Sequence, residues 1–104
     1  MLTWPANVRV FVCTQPTDMR KQFDGLQALI TPVFGQDVFG GHLFFFFNRR
    51  CDRVKLLYWD QDGLALWAKR LEVGRYELPE VQGGTDRLWI AAARSFSRWP
   101  SWPK

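Results

Sequence analysis

His42–Arg75 reads HLFFFFNRRCDRVKLLYWDQDGLALWAKRLEVGR, and this stretch decides the fold. Leu43–Phe47 is one Leu followed by four Phe. A basic polar break, Asn48–Asp52, separates it from a second apolar run, Val54–Trp59. Asp60–Gly63 separates that run from a third, Leu64–Leu71. Aromatic and branched residues bounded by Asn, Asp and Gly are the mark of short strands joined by hairpins. Asp62-Gly63 is the local turn signal, because Gly accepts the positive φ that primed turns need. The stretch therefore predicts a three-stranded antiparallel meander.

The pleat sends alternate residues to opposite faces. Val54, Leu56 and Tyr58 share one face, and Lys55, Leu57 and Trp59 share the other. Both faces carry large apolar groups, so the sheet must be covered on one side and partly covered on the other.

Working outward, Val8–Val12 alternates like a strand, and Thr14–Thr17 is a loop around Pro16. Met19, Phe23, Leu26, Ile30 and Val33 recur at spacings of four and three, the stripe of an amphipathic helix. Thr17 is the expected N-cap, with Asp18 near the positive end of the dipole. Pro32 should bend or end this helix near Thr31. Gly25 inside it suggests close approach of helix to sheet. After Gly74 the expected elements are a short strand at Arg75–Leu78 and a helix within Asp86–Phe96, ahead of an aperiodic ending, SRWPSWPK.

The fold class is α+β: a small antiparallel meander of three to five strands, including Val8–Val12, with the Thr17–Thr31 helix packed across it and a poorly defined C-terminal segment. A chain of 104 residues is one small domain. It is expected over residues 1–80, followed by an atypical tail, 81–104, altered or disordered. With 47% hydrophobic and 23% charged residues it is globular rather than disordered. Two distant cysteines make neither a disulfide framework nor a metal ribbon, which fits a reducing, cytoplasmic setting. No run reaches the roughly 18–20 apolar residues of a membrane helix.

Net charge is +4, compatible with nucleic acid. Arg49, Arg50, Arg53 and Lys55 cluster at the first hairpin loop, with Lys69 and Arg70 on the neighbouring run. Trp59 and Trp67 lie on the adjoining strands. Cations beside aromatics hold nucleic acids by neutralising phosphates and stacking bases. Beside this stands a plainer reading, a solvated hairpin tip with Arg stems covering Phe edges. Asp18-Met19-Arg20-Lys21 reads as a phosphate or partner contact, or as cap chemistry. Asp52, Asp60 and Asp62 read as a hard-cation site for a nuclease, or as ordinary turn residues. His42 and Cys51 have no spacing that suggests a catalytic pair. No catalytic residue, metal site or cofactor follows from these motifs.

Several pieces stand in order: Thr17-Asp18-Met19-Arg20-Lys21, Phe23-Asp24-Gly25-Leu26, Gly41-His42-Leu43-Phe44, Arg49-Arg50, Asp52-Arg53-Val54-Lys55-Leu56-Leu57-Tyr58-Trp59-Asp60, Asp62-Gly63 and Lys69-Arg70-Leu71-Glu72. The set, over roughly residues 5–80, resembles the small accessory protein of the insertion-sequence-66 group of bacterial transposable elements. That protein is the second-reading-frame product, usually called TnpB, and is distinct from the RNA-guided nuclease of the same label. The resemblance implies a non-enzymatic role in transposition, because a separate, larger transposase carries the DNA-cutting residues. Its implied partners are that transposase and DNA; a second copy of the chain is a further expected partner, and a membrane is not. The alternative is a pure protein-interaction module that docks the transposase without touching DNA. Cys51 departs from the family pattern, which usually has Gly there, so the first turn is expected to differ in backbone conformation.

Overall fold

The computed structural model describes residues 8–77 and the backbone of residues 88–92. Strand β1 is Arg9–Cys13, helix α1 is Phe23–Leu29, β2 is Leu43–Phe47, β3 is Arg53–Trp59, β4 is Leu64–Arg70 and β5 is Leu88–Ala92. They form one five-stranded sheet in the order β4-β3-β2-β1-β5. The α+β class and the β2-β3-β4 meander stand as read from the sequence.

The four phenylalanines explain the centre. β2 lies mid-sheet, with both faces covered, so every one of its residues can be apolar. Phe44 and Phe46 pack with Phe11, Leu26, Ile30, Phe34 and Leu57 on the helix side. Phe45 and Phe47 pack with Val10, Val12, Val54 and Leu56 on the other. All four phenylalanines are buried. At about 1.5–3 kcal/mol per fully buried side chain, these four phenylalanines supply a gross hydrophobic term of roughly 6–12 kcal/mol.

Four expectations need correction. First, β1 pairs with β2 in parallel, from Val10 opposite Leu43 to Cys13 opposite Phe46, so the sheet is mixed. The long connection through α1 is a crossover, which returns the chain in the same direction. Second, the helix starts at Phe23 rather than Thr17. Thr17 is buried, and its N–H bonds Phe47 O at 2.8 Å, which keeps this residue outside the helix. The buried stripe is therefore Leu26, Ile30 and Phe34, while Phe23 is exposed. Third, Pro32 does not stop the helix at Thr31. Ile30–Phe34 continues as a wider π turn, which relieves the proline's clash with the preceding turn and ends at left-handed Gly35. Fourth, Leu88–Ala92 is a strand, not a helix, paired antiparallel with β1 from Arg9 opposite Ala92 to Cys13 opposite Leu88. A continuous apolar run carries no period to separate the two, and the open edge of β1 decides it.

Two smaller points differ as well. Residues 75–77 form no strand; Tyr76 turns its ring onto Phe47 and donates its N–H to Cys51 O at 2.7 Å. Gly25 faces Lys21 rather than the sheet, since a Cβ there would meet Lys21 Cβ at 3.1 Å. The ending at 97–104 and the remainder of the expected helix lie outside the described residues. Among the described residues, no helix is long and apolar enough to cross a membrane.

Candidate functional site

The hairpin tip between β2 and β3 is built by one asparagine. Asn48 Oδ1 accepts the N–H groups of Asp52 at 3.1 Å and Arg53 at 3.0 Å. Its Nδ2 donates to Asp52 Oδ1 at 2.6 Å. An Asn side chain standing in for backbone is a common turn device. Cys51, at φ 57°, takes the left-handed position. Gly is the residue best suited to that conformation, so the departure at Cys51 is a side chain placed where the backbone favours none.

The Thr17–Lys21 loop lies against this tip, held by the bond from Thr17 N–H to Phe47 O. Asp18 organises the loop. Its Oδ1 accepts Arg20 N–H at 2.9 Å, and its carboxylate takes the Arg20 guanidinium at 2.8–3.1 Å. That guanidinium holds the Asp18 carboxyl at a pKa of about 2.

Between loop and tip lies an open depression of about 530 Å³, lined by Asp18, Met19, Arg20, Asn48, Arg50, Asp52, Arg53 and Arg70. Four guanidinium groups face two carboxylates. The Asn48 amide, with Arg50 and Arg53, keeps the Asp52 carboxyl below its ordinary range. Arg20 is paired with Asp18, and Arg70 stands 3.7 Å from Glu72. Arg50 and Arg53 are exposed and form no ion pair among the described residues. Such a surface can take an anion with two or more oxygens, as guanidinium forks match phosphate geometry.

The predicted residues divide. Arg50, Arg53 and Arg70 come together, with Arg53 opposite Arg70 across the β3–β4 ladder, and Arg49 is exposed on the same tip. Lys55 is buried at 8% exposure and donates to Lys21 O at 2.7 Å, so it is fixed internally. Lys69 pleats to the face away from the helix. Trp59 sits at the far end of β3, edge-on to Phe39 at 4.9 Å, and Trp67 packs on the opposite face with the Phe45 cluster. Neither tryptophan joins the arginines.

Of the family motif, Asp18, Met19 and Arg20 line the depression, and Lys21 supplies the carbonyl that holds Lys55. Phe23, Asp24 and Gly25 open α1. Sequence reasoning missed Asn48; its position at the head of an Arg-rich loop was the available signal.

The carboxylates proposed for a metal do not meet. Asp52 precedes β3 and Asp60 and Asp62 follow it, separated by a seven-residue strand of roughly 20 Å. No group of three or more His, Cys, Asp or Glu among the described residues could hold a metal ion. His42 and Cys51 lie beyond opposite ends of β2. His42 Nδ1 accepts Arg9 N–H at 3.0 Å, and burial, then Arg9, lowers its pKa.

The model of the IS66 Orf2-like protein family matches residues 8–95. The match covers the loop, the tip, the meander and β5. A Sinorhizobium fredii protein, y4jC, is 40% identical over 77 residues, 74% of this chain and 66% of its own length. A second from the same organism, y4hO, is 37% identical over 84 residues, 81% of this chain and 73% of its own. Both are described as uncharacterized. No solved structure matches. The chain belongs to the IS66 Orf2-like family, whose role is that of an accessory protein associated with transposition.

Proposed function

We propose that this protein is a non-catalytic accessory subunit of DNA transposition that holds a nucleic-acid phosphate backbone in the depression between Asp18–Arg20 and the Asn48–Arg53 tip. The observation that carries this reading is the pair Arg50 and Arg53: exposed, without an ion pair among the described residues, and displayed by a loop that Asn48 fixes. A preorganised pair of guanidinium groups gives affinity without base readout. Arg49 on the tip and Arg70 beside it extend the cationic surface, and the tryptophans are not needed.

The test is a titration of labelled single- and double-stranded DNA at several salt concentrations, with an Arg50→Ala/Arg53→Ala variant alongside. On duplex, each lost phosphate contact lowers the slope of log K against log salt by about 0.9. The variant should bind more weakly and lose about two contacts. Binding that ignores salt, or a variant equal to the wild type, overturns the proposal.

One observation favours the second reading, a module that docks the transposase without DNA. Phe39 is 54% exposed and leans on half-buried Trp59, an apolar spot at the end of the sheet away from the arginines. Co-purification with the transposase from nuclease-treated extract, lost on Phe39→Ser, would support it. Loss of the complex on nuclease treatment alone would count against it.

A further inference from the structure

Among the described residues, no strand pairs with the outer edge of β4. The bonds from Asp60 N–H to Gly63 O at 2.8 Å and from Leu71 N–H to Asp52 O at 2.7 Å fix the phase of the β3–β4 ladder. Hydrogen-bonded pairs alternate from there, so Ala65, Trp67 and Lys69 turn their backbone groups toward β3. Leu64, Leu66, Ala68 and Arg70 turn theirs outward. No backbone group among the described residues pairs with them. An open edge of seven residues with an apolar middle is a template for another strand.

The charges along this edge say which strand fits. Asp60 and Asp62 precede β4, while Lys69 and Arg70 close it. An identical strand laid antiparallel meets acid with base; laid parallel, it meets like with like. We propose that β4 pairs antiparallel with β4 of a second copy of this chain, about a two-fold axis at Leu66. In that register Leu66 opposes its own mate, Leu64 opposes Ala68, and Arg70 meets Asp62 of the partner subunit. The outward groups of Leu64, Leu66 and Ala68 then find partners, while the Asp62 N–H stays on Asp60 O. Moving the axis to Trp67 would set Arg70 against Leu64 and take it from Asp62, and moving it to Ala65 would shorten the ladder. The side chains of Leu64 and Leu66, half-buried on the helix side, would become one apolar strip across both subunits. Such a contact is isologous and closes at two, giving a ten-stranded sheet rather than a fibre. Arg70 then turns toward the partner subunit, and Arg50 and Arg53 remain the free cations of each depression. The pairing does not depend on the phosphate reading.

Sedimentation equilibrium of the nucleic-acid-free full chain reads the outcome. The wild type should be a concentration-dependent dimer. Ala68→Pro removes an outward N–H that no described strand of the subunit uses, so it should leave a folded monomer by circular dichroism. Asp62→Arg or Arg70→Asp alone should weaken the dimer several-fold, and the two together should recover it. Leu66→Cys in a Cys51→Ser background should form an intersubunit disulfide on mild oxidation, since opposed residues of a hydrogen-bonded pair lie about 5.5 Å apart at Cα. A monomeric wild type, an open-ended aggregate, or a dimer indifferent to both Ala68→Pro and the charge exchange overturns the proposal.

Discussion

The ammonium of Lys55 donates to the backbone carbonyl of Lys21 at 2.7 Å, across the helix-side face of the sheet. Lys55 is 8% exposed, and the Lys21 N–H bonds Asp18 O at 3.1 Å. One buried lysine thus fastens the Asp18–Arg20 loop to the middle of β3. Lys55→Met keeps the stem's packing and leaves the carbonyl without its donor. Hydrogen bonds to charged groups contribute about 1.5–3 kcal/mol, so urea unfolding should show a loss of that order. The salt slope of any DNA binding should stay unchanged. A fall of about 0.9 in that slope would instead make Lys55 a phosphate contact.

Cys51 holds φ 57° at the hairpin tip, and the turn closes through Cys51 N–H to Asn48 O at 3.1 Å. The left-handed region costs an ordinary L-residue about 1–2 kcal/mol. Cys51→Gly removes that strain but adds freedom to the unfolded chain, so its stability should match or slightly exceed the wild type. Cys51→Val, branched at Cβ, should lose about 1–2 kcal/mol or more. Thermal unfolding under reducing conditions orders the three. A valine variant as stable as the glycine one would show that the tip does not need this conformation.

These two residues show what the sequence made legible. The Phe run declared a strand, and its mid-sheet position, with both faces covered, explains why Phe stands at four successive positions. The Asn, Asp and Gly breaks placed the hairpin ends, and Arg50 of the first break lies with Arg53 and Arg70 around one depression. Other features depend on distant partners. Thr17 looks like a cap until Phe47 O takes its N–H. Lys55 looks like a surface cation until the loop lies over it. Even the second turn shifts its strain: the positive φ of 59° falls on Gln61, and Gly63, the expected site, has none. The parallel course of β1 and the strand at Leu88–Ala92 follow from which sheet edge is open, which no local pattern encodes.

His42 should give the fold an acid limb. Its Nδ1 can accept the Arg9 N–H only while unprotonated. Burial first, and Arg9 second, depress its folded pKa below the ordinary histidine value of 6.5. The unfolded chain therefore binds the proton more readily. The stabilising contribution is full above about 6.5 and fades as pH falls from there toward the folded value. Asp18 adds a lower limb, lost between 3.8 and about 2. Urea midpoints followed from about pH 7.5 to about pH 5 should decline, and His42→Asn should flatten that decline. An unchanged slope in the variant would remove His42 as its source.

Asp18 restrains the depression's cations as well as shaping its loop. Its carboxylate holds Arg20 through three side-chain hydrogen bonds, at 3.1, 3.1 and 2.8 Å, although the pair is largely exposed. An exposed pair of this kind adds little stability. It does determine whether Arg20 can reach an anion beside Arg50 and Arg53. Asp18→Asn keeps an oxygen for the Arg20 N–H and removes the charge, so the loop should persist while the guanidinium is released. DNA should then bind more tightly, with the salt slope steeper by about 0.9 because Arg20 now neutralises a phosphate of its own. Asp18→Asn/Arg20→Ala should return the slope to the wild-type value. Weaker binding in the folded single variant would mean that the carboxylate itself, and not the arginine it holds, belongs to the DNA-binding surface.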